Sequence, residues 1–167
     1  EIERNFPTSK IEHVQCQKNH TDLELNYKNL LLACNGNHGH PRIMQTCDTF
    51  KGEIDLSFNP SNLARDIENL IKYRANGEIY SDDVQINNEL IESLNLNTKD
   101  LKDTREIIYK NINSRIILEG KNRGNKAIQK KFYEAEKEKL LTRANDKFIE
   151  YCMVGVYLLN KKLNKMI

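Results

Sequence analysis

The chain has 167 residues, of which 30% are charged and 38% belong to the apolar set AVILMFWYC. No stretch approaches 18 consecutive apolar residues, which excludes a membrane-spanning helix, and 3 Pro with 7 Gly exclude collagen-like or linker-like chains. A net charge of +2, from 26 Lys+Arg against 24 Asp+Glu, excludes a protein that grips nucleic acid mainly by its own field.

Residues 10–14 read as a short strand, with Ile11 and His13 on one face and Glu12 and Val14 towards the other. Residues 15–28 are polar and read as loop. Asn29 precedes an apolar run, Leu30-Leu31-Leu32-Ala33, and residues 35–46 form a loop rich in Gly, Asn and Pro. Residues 48–52 suit a helical turn ended by Gly52. Ser61 after Asn59-Pro60 predicts the cap of a helix from 62 to about 75, stopped by Gly77. Ile86, Leu90, Ile91 and Leu94 have helical spacing. Thr98 predicts the cap of a helix that Gly120 and Gly124 interrupt, and two more helices follow over about 125–144 and 146–164. The apolar run 152–159 would extend only about 12 Å as a helix, so it reads as partner interface or core. No internal repeat or low-complexity tract occurs.

The chemically capable residues are unevenly placed. His13, His20, His38 and His40, with Cys16, Cys34 and Cys47, all lie between 13 and 47; beyond that only Cys152 remains. Four unevenly placed cysteines do not suit a secreted disulfide scaffold, and no signal peptide is recognisable, so a cytoplasmic setting is expected. A first residue of Glu1 rather than Met reads as a portion of a longer protein. Glu12, His13 and Asp48 are the parts that phosphodiester hydrolysis uses. An imidazole can take a proton from water near neutral pH, and carboxylates suit a hard cation such as Mg²⁺ or Mn²⁺. Taken singly, each has a plainer reading: surface dipeptide, helix cap, buried thiol.

Their order and spacing together resemble the HNH nucleases. The matching stretches are Ile11-Glu12-His13-Val14, Asn29-Leu30-Leu31-Leu32-Ala33-Cys34-Asn35-Gly36-Asn37 and Cys47-Asp48-Thr49-Phe50-Lys51-Gly52. Within that superfamily the chain is similar to the HNH subunits of Septu-type anti-phage systems (PtuB-like), which also accompany some retrons. Tyr73, Asn76-Gly77-Glu78-Ile79 and Leu94-Asn95-Leu96-Asn97 agree with that branch, so the resemblance spans about residues 10–118.

The resemblance implies an α+β, mostly α, fold. A small ββα-metal (HNH) core, 1–58, would pack on a helical scaffold and partner-docking region, 59–167. It implies a metal-dependent endonuclease acting in anti-phage defence, on DNA by preference or on an RNA such as tRNA; a catalytically silent zinc adaptor is the alternative. His13 would be the general base, with Asn29 holding its loop. Glu12 and Asp48 would hold Mg²⁺ or Mn²⁺, Cys34 and Cys47 would bind a structural Zn²⁺, and Lys51 would contact a nucleic-acid phosphate. The partner would be an ABC/SMC-like ATPase, with a retron DNA–RNA element as a further candidate and no membrane. Cys16 stands where the family usually has Pro, and Asp48 where His or Asn is commoner. The family's other zinc-binding Cys pair precedes the Glu-His motif and does not occur here, which leaves a site outside this sequence or His38 or His40 as substitutes. The apolar run 152–159 is expected to contribute a helix-in-groove contact.

Overall fold

The computed structural model describes residues 9–60, 62, 66–121, 124–144 and 147–166. The fold is α+β and mostly helical, with two small antiparallel sheets of two strands each. It divides into two compact units. One comprises the described residues of Glu1–Lys72 and Ile79–Thr98, the other those of Tyr73–Glu78 and Lys99–Ile167. The described residues of 59–72 and 79–98 fall with the first unit. No helix among the described residues is long and apolar enough to cross a membrane.

In the first unit, β1 (Ser9–His13) pairs with β2 (Leu30–Cys34), placing Glu12 opposite Leu31 and Lys10 opposite Ala33. The run that precedes Cys34 is thus a strand. The following loop doubles back because Gly36 sits at φ +57; a Cβ there would lie 2.2 Å from the Thr46 carbonyl oxygen. Only glycine meets both demands. The Thr46 N–H then donates to the Gly36 carbonyl at 3.0 Å, and the chain enters α1 (Cys47–Lys51), which packs on β2.

The helix expected over 62–75 is a single turn, α2 (Ile67–Leu70), capped by the Asp66 side chain. Its expected cap, Ser61, and residues 63–65 lie outside the described residues. Two short strands, β3 (Lys72–Tyr73) and β4 (Ile79–Tyr80), follow. Ala75-Asn76-Gly77 closes their hairpin instead of ending a helix: the Gly77 N–H donates to the Arg74 carbonyl at 3.0 Å, the Arg74 N–H donates to the Glu78 carbonyl at 2.9 Å, and Gly77 takes the left-handed position, φ +79, of a three-residue hairpin loop. The helical spacing at 86–94 forms α3 (Val84–Asn88), capped by Asp83, and runs on into a π-helical turn over Glu89–Ser93. Ile86 and Leu90 are fully buried there, and Phe58, Ile67 and Ile79 are buried in the same unit.

The second unit contains α4 (Lys99–Lys121), α5 (Lys126–Leu141) and α6 (Cys152–Leu163). Gly120 does not interrupt α4. It lies inside the helix, where a Cβ would come 2.6 Å from the Tyr133 hydroxyl, so its role is close approach to α5. Asn125 caps α5 by accepting the Ala127 N–H at 2.7 Å. α6 starts later than the expected 146 because Tyr151 takes a left-handed conformation, φ 56; residues 145 and 146 lie outside the description. Ile116, Phe132, Tyr133, Leu158 and Leu159 form the core cluster. Val156 is 5% exposed, and Val154, Leu158 and Leu159 are buried as well. The run 152–159 is therefore core of this unit, not a docking face: its apolar side chains are already covered by their own chain. Of the basic segment 121–126, residues 122 and 123 lie outside the description, while Lys130 pairs with Glu134 on an exposed helix face.

Candidate active site

Strand alternation sorts β1. Lys10 and Glu12 point to the side occupied by α1; Ile11 and His13 point to the other, where Ile11 and its partner Leu32 are exposed. On the α1 side four charged groups form a row. The Lys10 ammonium pairs with Asp48 and donates to Thr49 Oγ1 at 2.7 Å. Asp48 and Glu12 share a hydrogen bond, carboxyl to carboxylate. Lys51 Nζ lies 2.5 Å from Glu12 Oε1, with side chains only 2% and 13% exposed.

Burial, then the hydrogen bond with Asp48, pushes the Glu12 carboxyl up to about 7 against the lowering effect of Lys51. Burial acts on Asp48 in the same sense, but there it is outweighed. The hydrogen bonds from Glu12 and Lys10, and the charges of Lys10 and Lys51, hold its carboxyl below the usual range. Glu12 is thus the more readily protonated of the two, as expected when like charges are forced together. Glu12 Oε1 is buried and has no hydrogen-bond partner; the nearby Lys51 ammonium is not aligned to donate to it. Such an orphaned oxygen fits a cation, and Glu12 with Asp48 makes a hard, oxygen-only donor pair suited to Mg²⁺ or Mn²⁺.

His13 is oriented by the backbone. Its Nε2 lies 2.9 Å from the Glu24 carbonyl oxygen. A carbonyl only accepts, so Nε2 carries the hydrogen, and in the neutral ring Nδ1 is left to take a proton. Asn29 is buried and braces that loop. Its Oδ1 accepts the Gln15 N–H at 2.9 Å, and its Nδ2 donates to the carbonyls of Gln15 and Leu23, the latter beside Glu24. Alternation along β1 sets His13 on the opposite face from Glu12, so the strand itself does not bring base and carboxylates together.

Cys34 ends β2 and Cys47 begins α1, and their thiols are hydrogen-bonded. That bond from Cys47 is the main reason the Cys34 thiol falls to about 6. The same bond, then burial, pushes Cys47 up. Cys47 stands at φ 54, a left-handed conformation rare for a side-chain-bearing residue. It is pinned from 50 residues away in sequence: its N–H donates to the Leu94 carbonyl at 2.8 Å, while Asn95 Nδ2 donates to the carbonyls of Ile43 and Gln45.

His38 and His40 are exposed in successive turns, and among the described residues no group of three or more His, Cys, Asp or Glu is placed to hold a metal ion. Neither histidine therefore completes a set with the cysteines. His20 shares the Asp55 carboxylate with the Cys16 N–H and ties two loops together. Lys51, expected to meet a nucleic-acid backbone, is buried on Glu12, so a phosphate would reach it only by entering the carboxylate site. Sequence reasoning missed Lys10, although its position two residues before Glu12 puts both on one strand face. It also missed the Leu94–Asn95 clamp, which has no local signal. The chain matches no protein-family model and no curated protein.

Proposed function

We propose that the chain is a divalent-metal-dependent nuclease of the HNH type, with the β1–β2 hairpin and α1 as its ββα-metal core. The observation that carries this reading is the Glu12–Asp48 pair, two carboxylates held in contact with one buried oxygen lacking a hydrogen-bond partner. Glu12 and Asp48 would hold Mg²⁺ or Mn²⁺, which when bound supplies positive charge to a scissile phosphate. His13 takes the proton of the attacking water at Nδ1, while the Glu24 carbonyl keeps the ring oriented. Asn29 braces the same loop by donating to the neighbouring Leu23 carbonyl. Cys34 and Cys47 would give two thiolates to a structural zinc. The near-neutral charge leaves the grip on the polymer to a partner, by resemblance an ABC/SMC-like ATPase in anti-phage defence. DNA is the favoured substrate; the same groups would serve on RNA.

The test is to incubate the protein, alone and with the ATPase, with labelled phage DNA and with total tRNA, in Mg²⁺ or in chelator. Cuts that need Mg²⁺ and vanish in His13→Ala support the reading. Equal cutting by His13→Ala, or no cutting of either polymer, overturns it. One observation favours a second reading, the silent zinc adaptor: His13 and Glu12 project from opposite strand faces. That reading expects bound zinc without any cleavage.

A further inference from the structure

The row Lys10–Asp48–Glu12–Lys51 is electrically balanced when both carboxylates are ionised. A divalent cation between the carboxylates would leave it doubly positive, a charge that an anion must answer. The two lysines are not equivalent. The Lys51 side chain is 2% exposed and cannot leave without unpacking the site. The Lys10 side chain is 29% exposed, and among the described residues its other bond is to the Thr49 hydroxyl. It can turn outwards by rotation of its own stem.

We infer that Lys10 is the displaceable internal counter-ion of this site: it holds Asp48 in the cation-free chain, is released when a divalent cation binds, and then turns its ammonium to a substrate phosphate. The inference rests on the metal-dependent reading above and adds a residue and an order of events to it. An ammonium and a divalent cation compete for the same carboxylate, so removing the ammonium strengthens cation binding. Once released, Lys10 adds a positive charge beside the phosphate. Cation and phosphate must then each tighten the binding of the other, because coupling between two ligands is reciprocal.

The experiment measures Mn²⁺ binding to the full chain by the electron paramagnetic resonance of free Mn²⁺, with and without thymidine 3′,5′-bisphosphate. For the unmodified chain, the bisphosphate should tighten Mn²⁺ binding about tenfold. In Lys10→Met, Mn²⁺ alone should bind about tenfold more tightly than to the unmodified chain, and most of the bisphosphate effect should be lost. Lys10→Arg gives an opposite arm that does not depend on the Met variant folding. A guanidinium grips a carboxylate through two donors, so Mn²⁺ alone should bind more weakly there than to the unmodified chain. Equal Mn²⁺ affinity in the three proteins, or weaker binding to Lys10→Met, overturns the inference while leaving the metal site standing. A bisphosphate effect unchanged in Lys10→Met overturns its phosphate half. If none of the proteins binds Mn²⁺ more tightly than Glu12→Gln does, with or without bisphosphate, the metal-dependent reading fails and the inference with it.

Discussion

Half-buried Glu12 in the first compact unit and buried Glu136 in the second both meet cationic side chains and are treated differently. Glu136 on α5 is satisfied by its own unit: Arg115 pairs with one oxygen and Lys139 donates to the other at 2.6 Å. Glu12 on β1 has a lysine at 2.5 Å and a second carboxyl against it, yet its Oε1 has no hydrogen-bond partner. Both Glu136 oxygens are thus paired, whereas Glu12 keeps one buried oxygen without a hydrogen bond. A buried polar atom without a hydrogen bond is destabilising, and here it lies beside a second carboxyl, Asp48. Left-handed conformations occur in both units: Gly36 and Cys47 hold them around the carboxylate row, and Tyr151 holds one before α6.

The comparison can be broken most severely in the second unit. Val156→Glu would put a charge at a position only 5% exposed, a loss of about 4 kcal/mol or more that denaturant unfolding would register. A normal unfolding midpoint would show that α6 is not core. On the first unit, His13→Ala should lower phosphodiester cleavage about 10²- to 10⁴-fold while changing stability by no more than about 1 kcal/mol. Paired rate and unfolding measurements separate those two effects.

A third contrast sets the glutamates against each other. Glu136→Gln should destabilise by about 1–3 kcal/mol at neutral pH, because Arg115 and Lys139 lose the charge they share. Glu12→Gln should instead change the pH dependence. The folded-state value for Glu12 is about 7 against an ordinary 4.5. Between these values the folded chain holds a proton that the unfolded chain has released, so stability falls as pH rises through that window. Unfolding at pH 4.5 and 7.5 should show the unmodified chain losing stability relative to Glu12→Gln, and a constant difference would remove the raised carboxyl from the site. The smallest effect concerns the thiols. With the Cys34 thiol at about 6 and Cys47 pushed up, iodoacetamide at pH 7 should label Cys34 about tenfold faster, read by peptide mass. Cys47→Ser should slow that labelling, since a serine hydroxyl lengthens the contact. Equal rates in the unmodified chain would mean the two thiols are not hydrogen-bonded.

Local patterns carried much of the architecture. The strand at β1 and the helices α4 and α5 follow from period and capping: alternation around Glu12, an Asn125 cap, and apolar residues at three- and four-residue steps. Where the reading failed, a longer-range contact had the deciding energy. The segment 62–75 has helical spacing, but Asn76-Gly77 and the β3–β4 pairing turn it into one helical turn and a hairpin. Gly120 looks like a helix breaker until Tyr133 is seen against it. The run 152–159 is as apolar as a docking helix would be; only burial by its own unit identifies it as core.

The candidate site divides along the same line. Residue identity, spacing and the family resemblance they carry nominated Glu12, His13, Asn29, Cys34, Cys47, Asp48 and Lys51, because the chemistry of each is local to its side chain. Which of them meet was decided by tertiary structure. The hairpin register and α1 bring Glu12 to Asp48, Lys10 and Lys51, and the closure at Gly36 with the Leu94–Asn95 clamp delivers Cys47 to Cys34. The same register leaves His13 facing away from the carboxylates and held by a carbonyl 11 residues on. Sequence order records which groups are present. The contact of Glu12 with Asp48 and the lysine beside each carboxylate depend on distances between segments far apart along the chain, and those distances exist only once the first unit has packed.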